Sequence, residues 1–140
     1  MRIFGVMAIC VAAGAQAQGV PDWQDAAVVA QGRALYDANC ASCHGATLEG
    51  APDWRSPGPD GMLPAPPHDA SGHTWHHPDQ MLFDITKRGT AAVVGGGYKS
   101  GMPGFGGALT DAEIRATLAY IKSTWPRRVR ETHDRINAGG

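Results

Sequence analysis

Two cysteines and a histidine stand together at Cys40-Ala41-Ser42-Cys43-His44. Two thiols two residues apart, followed directly by an imidazole, form the pattern for covalent attachment of c-type haem. The chemistry explains the spacing. The thiols add across the two vinyl groups on one edge of the porphyrin, and the adjoining histidine offers its ring to the iron. Thioether bonds hold the ring permanently, so a small chain keeps it without a large enclosing core. Two other chemistries compete for these residues. A redox-active disulfide needs a strand–helix setting, whereas the residues before Cys40 read as helical. A zinc site needs further ligands, and the available ones, His73 and His77, lie far outside finger spacing.

Two further groups could bind metal. Met102-Pro103 stands in the loop Ala91 to Gly107, among Gly95, Gly96, Gly97, Gly101, Gly104, Gly106 and Gly107. Proline pushes the residue before it toward extended geometry, which aims Met102 in a fixed direction. A lone methionine usually fills core, but one displayed from a glycine loop has little local core to fill. The loop has no phosphate-binding lysine–serine pattern. The second group is His68 with His73, His76 and His77. Its plain reading is that His77 caps a helix, Trp75 packs at a haem edge or bonds a propionate, and the rest are solvated. Its sharper reading is a second metal site, in which His68, His73, His76 and His77 with Met62 or Met81 would suit copper by ligand softness.

Helical elements must position these groups. Asp25 or Asp22 can cap a helix running to about Asn39, with Val28, Gly32, Leu35 and Tyr36 on one face. Gly32 inside it costs about 1 kcal/mol relative to alanine, a cost expected where another backbone approaches closely or where a surface glycine is tolerated. Gly45 to Gly72 holds six of the ten prolines and should be irregular. A loop of that length is uncommon unless it wraps something, and a haem edge is an obvious object. His77-Pro78-Asp79 opens a second helix with Leu82, Phe83, Ile85 and Thr86 as its buried side and Gly89 as its stop. In the last long helix Thr110 and Glu113 form a capping box and Leu109 with Ile114 a hydrophobic staple. Ile114, Leu118, Ile121 and Trp125 then make one apolar stripe, which Pro126 ends.

The 140 residues, 43% hydrophobic and 18% charged, suit one globular domain. Arg2, the apolar run Ile3 to Ala13 and Ala15-Gln16-Ala17 read as a cleaved export signal over residues 1–17. That run falls short of the roughly 20 residues that span a bilayer. Cys10 follows Ile9, where a lipid-attachment box wants a small residue, and would leave with the leader. The mature chain then keeps only the two cysteines of the motif. It carries 13 acidic residues against 12 basic ones less Arg2, a net charge of −2. Nothing here is basic enough for nucleic acid.

Between Asp25 and Trp125 the chain resembles a class I c-type cytochrome of a bacterial periplasm. The carriers are Cys40-Ala41-Ser42-Cys43-His44-Gly45, the loop Gly101-Met102-Pro103-Gly104-Phe105, and the helix from Leu109. The resemblance implies an all-α class I cytochrome c fold, about three to five helices around one covalent haem c, with long Pro- and Gly-rich loops. It implies iron held between His44 and Met102, with Cys40 and Cys43 as the thioether anchors. It also implies that Gly32 and Tyr36 meet the helix bearing Leu118 and Ile121. A proline carbonyl should accept the His44 N–H and fix its ring; Pro66 matches best, with Pro64 and Pro67 as alternatives. One departure stands out. Two residues after that proline the family usually places an apolar haem contact, and this chain has His68.

Histidine–methionine ligation leaves no open position on the iron, which favours one-electron transfer over oxygen chemistry. The expectation is a monomeric, mono-haem periplasmic carrier and not an enzyme, passing electrons between a membrane oxidoreductase and a terminal acceptor. It is expected to have no stable membrane insertion once the leader is removed. Residues 18–126 would be the cytochrome domain and 127–140 an arginine-rich, partly helical tail. That tail (Arg127, Arg128, Arg130, Arg135) could dock a partner or an anionic membrane face, but Glu131 and Asp134 dilute it and a solvated helix is favoured; Lys99 reads as a docking charge or a solvated one. Two other functions are a copper-handling protein using His68 to His77, and a haem enzyme or sensor in which Met102 leaves the iron.

Overall fold

The computed structural model describes residues 22–139, so the leader expected at 1–17 lies outside the described residues. Helix α1 (Ala26–Asn39) starts where the Asp25 carboxylate accepts from the N–H groups of Ala27 and Val28. Such a cap satisfies donors that no turn of the helix can reach. After one residue α2 (Ala41–His44) follows, then the irregular stretch from Gly45 to a 3-10 turn at Thr74–His76. Helix α3 (Asp79–Arg88) leads into a short α4 (Thr90–Val94), and α5 (Asp111–Thr124) and α6 (Arg127–Ala138) close the chain. The fold is all-α, and the described residues contain no strand. None of these helices is long and apolar enough to cross a membrane.

The centre of the fold is the crossing of α1 and α5. Gly32 lies there without a side chain: a Cβ would overlap the carbonyl oxygen of Ala116 and stand 3.0 Å from Tyr120 Cβ. One turn later Tyr36, fully buried, packs its ring 5.5 Å from that of Tyr120. The partner helix is the expected one, but Gly32 meets it at Ala116 and Tyr120, on a different face from Leu118. The apolar stripe Ile114, Leu118, Ile121 and Trp125 is buried throughout. Thr110 and Glu113 form both halves of the capping box that starts α5.

Three local readings are corrected. Ala91 to Gly107 was expected to be loop throughout, yet Thr90–Val94 is helical; that run has no glycine, and Gly95 stops it. The α3 start is capped by neither His77 nor any side chain of its own, because Asn137 Oδ1 accepts from the Asp79 N–H at 2.8 Å. Ile85 is only half-buried on α3, while Leu82, Phe83 and Thr86 are buried.

A fourth correction is larger than a cap. Residues 127–138 form a full helix docked on the body. Val129 and His133, four residues apart, are buried on its inner side. His133 Nε2–H donates to the His77 carbonyl at 3.0 Å, and its ring meets the Trp125 edge at 5.0 Å. Lys122, 1% exposed, donates to Asp134 of α6 at 2.7 Å. Arg130, expected in solvent, donates to the Ser123 and Trp125 carbonyls and lies over the Trp23 ring. Asp79 completes this polar seam, its Oδ1 3.7 Å from His133 and its buried Oδ2 without a hydrogen-bond partner.

Gly32→Ala is expected to lower unfolding stability by about 2–3 kcal/mol, since backbone must move to admit the methyl. Gly107→Ala, with nothing within 4 Å, should change it by less than about 0.5 kcal/mol; denaturant midpoints of the two variants test this.

Burial holds the His133 and His68 rings below the ordinary imidazole value of 6.5. The unfolded chain therefore binds more protons as pH falls through that value, and stability is lost with them. Burial raises the Asp79 carboxyl, which offsets part of the loss. Each buried ring contributes a slope of at most about 1.4 kcal/mol per pH unit. The thermal midpoint should fall between about pH 7.5 and 5.5, less steeply in His133→Gln, and a flat profile would contradict this account.

Candidate functional site

Helical spacing places the three chemical groups of the motif. The Cys40 N–H still bonds to Tyr36 O at 2.8 Å, so α1 runs on into the next turn. Within that turn Cys43 N–H and His44 N–H both bond to the Cys40 carbonyl, at 3.1 and 2.9 Å. Positions i, i+3 and i+4 share one side of a helix, which brings both thiols and the imidazole together. Cys40 and Cys43 are both free thiols, the first half-buried and the second exposed. Burial, and secondarily Cys43, push the Cys40 thiol up to about 11. Tyr36 ties off the turn by donating its hydroxyl to the Gly45 carbonyl at 2.9 Å.

His44 is buried, with its Nδ1 2.8 Å from the carbonyl oxygen of Pro66. A carbonyl can only accept, so Nδ1 carries the proton and Nε2 keeps its lone pair. Of the three prolines considered, Pro66 is the one that makes this contact. Burial lowers the His44 pKa, against a smaller opposing effect of the Pro66 bond, so the ring is neutral and able to bind a metal.

Pro66 opens a run of three consecutive carbonyls, each used by a side chain from elsewhere. Pro66 O accepts from His44, Pro67 O from the Thr74 hydroxyl at 3.4 Å, and His68 O from the Trp125 indole at 2.8 Å. The N–H groups of His68 and Asp69 both donate to Leu48 O, at 2.8 and 3.2 Å. Leu48 adopts φ 67°, a left-handed conformation that costs a leucine about 1–2 kcal/mol. Its buried side chain and doubly used carbonyl hold it there. Gly50, at φ 70°, lies against the same segment; a Cβ would overlap Pro67 N and stand 2.7 Å from Pro66 C.

The Met102 loop is fastened to the end of α3. Phe105 and Gly106 N–H bond to the Thr86 and Lys87 carbonyls at 2.9 and 3.0 Å, next to Gly89. The Ser100 hydroxyl oxygen accepts from the Met102 N–H at 3.1 Å, and Met102 is half-buried. Lys99 is exposed in the same loop.

The histidine cluster is dispersed. His68 stacks on His44, their ring centres 4.0 Å apart and their planes at 22°. His73 packs instead on Trp54 and His77, and His76 on Trp75. Among the described residues no three His, Cys, Asp or Glu side chains gather as a metal would need. The separation is physical, because the Thr74 bond to His68 Nδ1 at 2.8 Å draws that ring inward, away from the exposed His76. Trp75 donates its indole N–H to Ala70 O at 3.3 Å, a local tie within the loop. No expectation from the sequence covers the stack of His68 on His44. Its only sequence signal was a polar residue where an apolar one is usual.

A family model described as cytochrome c matches residues 29–125. The cbb3-type cytochrome c oxidase subunit CcoP of Azospirillum sp. (strain B510) is 34% identical over 97 residues, 69% of this chain and 29% of that protein. Cytochrome c-555 of Prosthecochloris aestuarii is 31% identical over 101 residues, 66% of this chain and 84% of that protein. The chain thus spans less than a third of the first relative and most of the second. No solved structure matches it at a comparable level. Helix α6 begins beyond the matched residues.

Gly50→Ala should pull Pro66 O from His44, lowering stability by about 1–3 kcal/mol and speeding solvent exchange of the His44 Nδ1 proton in NMR spectra. Gly61→Ala has a similar φ, 76°, but nothing within 4 Å. It should cost some stability and leave that proton unchanged.

Proposed function

The chain belongs to the cytochrome c family, and we propose that His44 and Met102 would ligate the iron of its haem and Cys40 and Cys43 would form the thioether anchors. The family binds haem c covalently and transfers electrons, so this is a haem electron carrier and not an enzyme. When bound, haem c supplies a one-electron iron couple.

The residues fit the group. One helical turn presents two free thiols and a neutral imidazole. The observation that carries the assignment is the bond from His44 Nδ1–H to Pro66 O, which leaves Nε2 as the free donor atom and makes it more basic. Methionine is a soft donor that favours ferrous iron and raises the potential. The Met102 loop, tied to α3 by backbone bonds, would hold that ligand through the change of oxidation state at little reorganisation.

In this reading residues 1–17 are an export leader, 18–126 the haem domain and 127–140 an appended segment. The carrier works in the periplasm, in a respiratory or oxidative chain. One relative is by its name an oxidase subunit, which supports a membrane oxidoreductase as a partner. Lys99 lies exposed in the Met102 loop and would contribute docking charge there.

Matured in a periplasm, the protein should keep its haem through acid–organic extraction, and Cys40→Ala with Cys43→Ala should release it. Its ferric spectrum should carry the weak red band of methionine ligation. Met102→Ala should lose that band and lower the midpoint potential; survival of the band would overturn the assignment of Met102.

A further inference from the structure

We infer that His68 is a positioning residue for His44, setting the plane in which that imidazole meets the iron. The inference rests on His44 being the ligand proposed above.

The Pro66 carbonyl holds one edge of the His44 ring. Its bond to Cβ and the Pro66 hydrogen bond together fix that edge of the ring, and the remaining freedom is a tilt of the ring plane about it. The second constraint has to come from a face, and His68 supplies one, 4.0 Å away and within 22° of parallel. An aliphatic side chain would fill the same volume without taking a polar ring, half-buried here, partly out of water. Burying an imidazole is unfavourable unless its N–H finds a partner, and this chain provides one. Thr74 Oγ1 lies 2.8 Å from His68 Nδ1. The Thr74 hydroxyl proton is directed to Pro67 O at 3.4 Å, so His68 Nδ1–H donates to Thr74. Both stacked rings therefore carry their proton on Nδ1 and anchor it nearby.

His68 is itself held from three more sides. Its N–H donates to Leu48 O, its carbonyl accepts from Trp125, and the Tyr36 ring meets it edge-on at 6.2 Å. Trp125 is in turn backed by His133 of α6. A ring that merely filled space would not require fixed tautomer, fixed backbone and fixed plane together. A ring that orients its neighbour would.

The plane of an axial imidazole governs how ferric spin density spreads over the porphyrin, and the order of the haem methyl proton shifts reports it. The test is ferric NMR and midpoint potential on holoprotein carrying His68→Leu, His68→Phe or Thr74→Val. His68→Leu should reorder the methyl shifts and move the potential, while His68→Phe, which keeps a flat face, should retain the wild-type order. Wild-type shifts in His68→Leu, or equal disturbance by Phe and Leu, would overturn the inference even if thermal stability fell. If His68→Leu fails to retain haem, Thr74→Val decides instead: reordered shifts support the inference and unchanged shifts overturn it. A wild-type protein without low-spin, six-coordinate ferric haem would remove the ligand assignment and this inference with it.

Discussion

The whole arrangement depends on how closely α1 lies on α5. With no side chain at Gly32, the backbone of α1 reaches the Ala116 carbonyl, and the two helices are fixed in register as well as in contact. That register decides where α1 ends, because Tyr36 is wedged against Tyr120 one turn later. The Cys40 N–H then continues the helix into the turn bearing both thiols and His44. A chemical motif at the end of a helix is only as well placed as the helix. Here its placement comes from a contact eight residues upstream of Cys40, where there is no side chain at all.

A second constraint meets the first from the opposite side. The segment Pro66-Pro67-His68 lacks its own N–H donors at two positions, so its backbone cannot pair as a regular element would. Its three carbonyls are taken instead by His44, Thr74 and Trp125, which come from three different parts of the chain. Proline makes the segment stiff, and Leu48 holds it at the cost of a left-handed backbone. The long irregular segment is therefore not a slack connection. It is the wall that orients the proposed ligand.

What was legible in the sequence was legible for physical reasons. The haem motif is read from covalent chemistry that needs two thiols and an imidazole close together in the chain. The Asp25 cap, the Thr110–Glu113 box and the α5 stripe follow from local rules, which act within a turn or two of the residues concerned. Helix α6 obeys no such rule. Its buried contacts are largely polar, through His133, Asn137 and Arg130, and a hydrophobic pattern does not reveal a helix that docks by hydrogen bonds. The same is true of the histidines from His68 to His77. Their closeness in sequence suggested one site, and the fold turns His68 inward to His44 while His76 remains exposed.

The sequence by itself determined the cofactor chemistry, the family and the local starts and stops of the main helices, because each depends on residues adjacent in the chain. Only the tertiary structure decided which proline carbonyl holds His44, where Gly32 is met, what α6 covers and what His68 touches. Those are contacts between segments tens of residues apart. They depend on the geometry of packed backbones, which residue types constrain but do not specify.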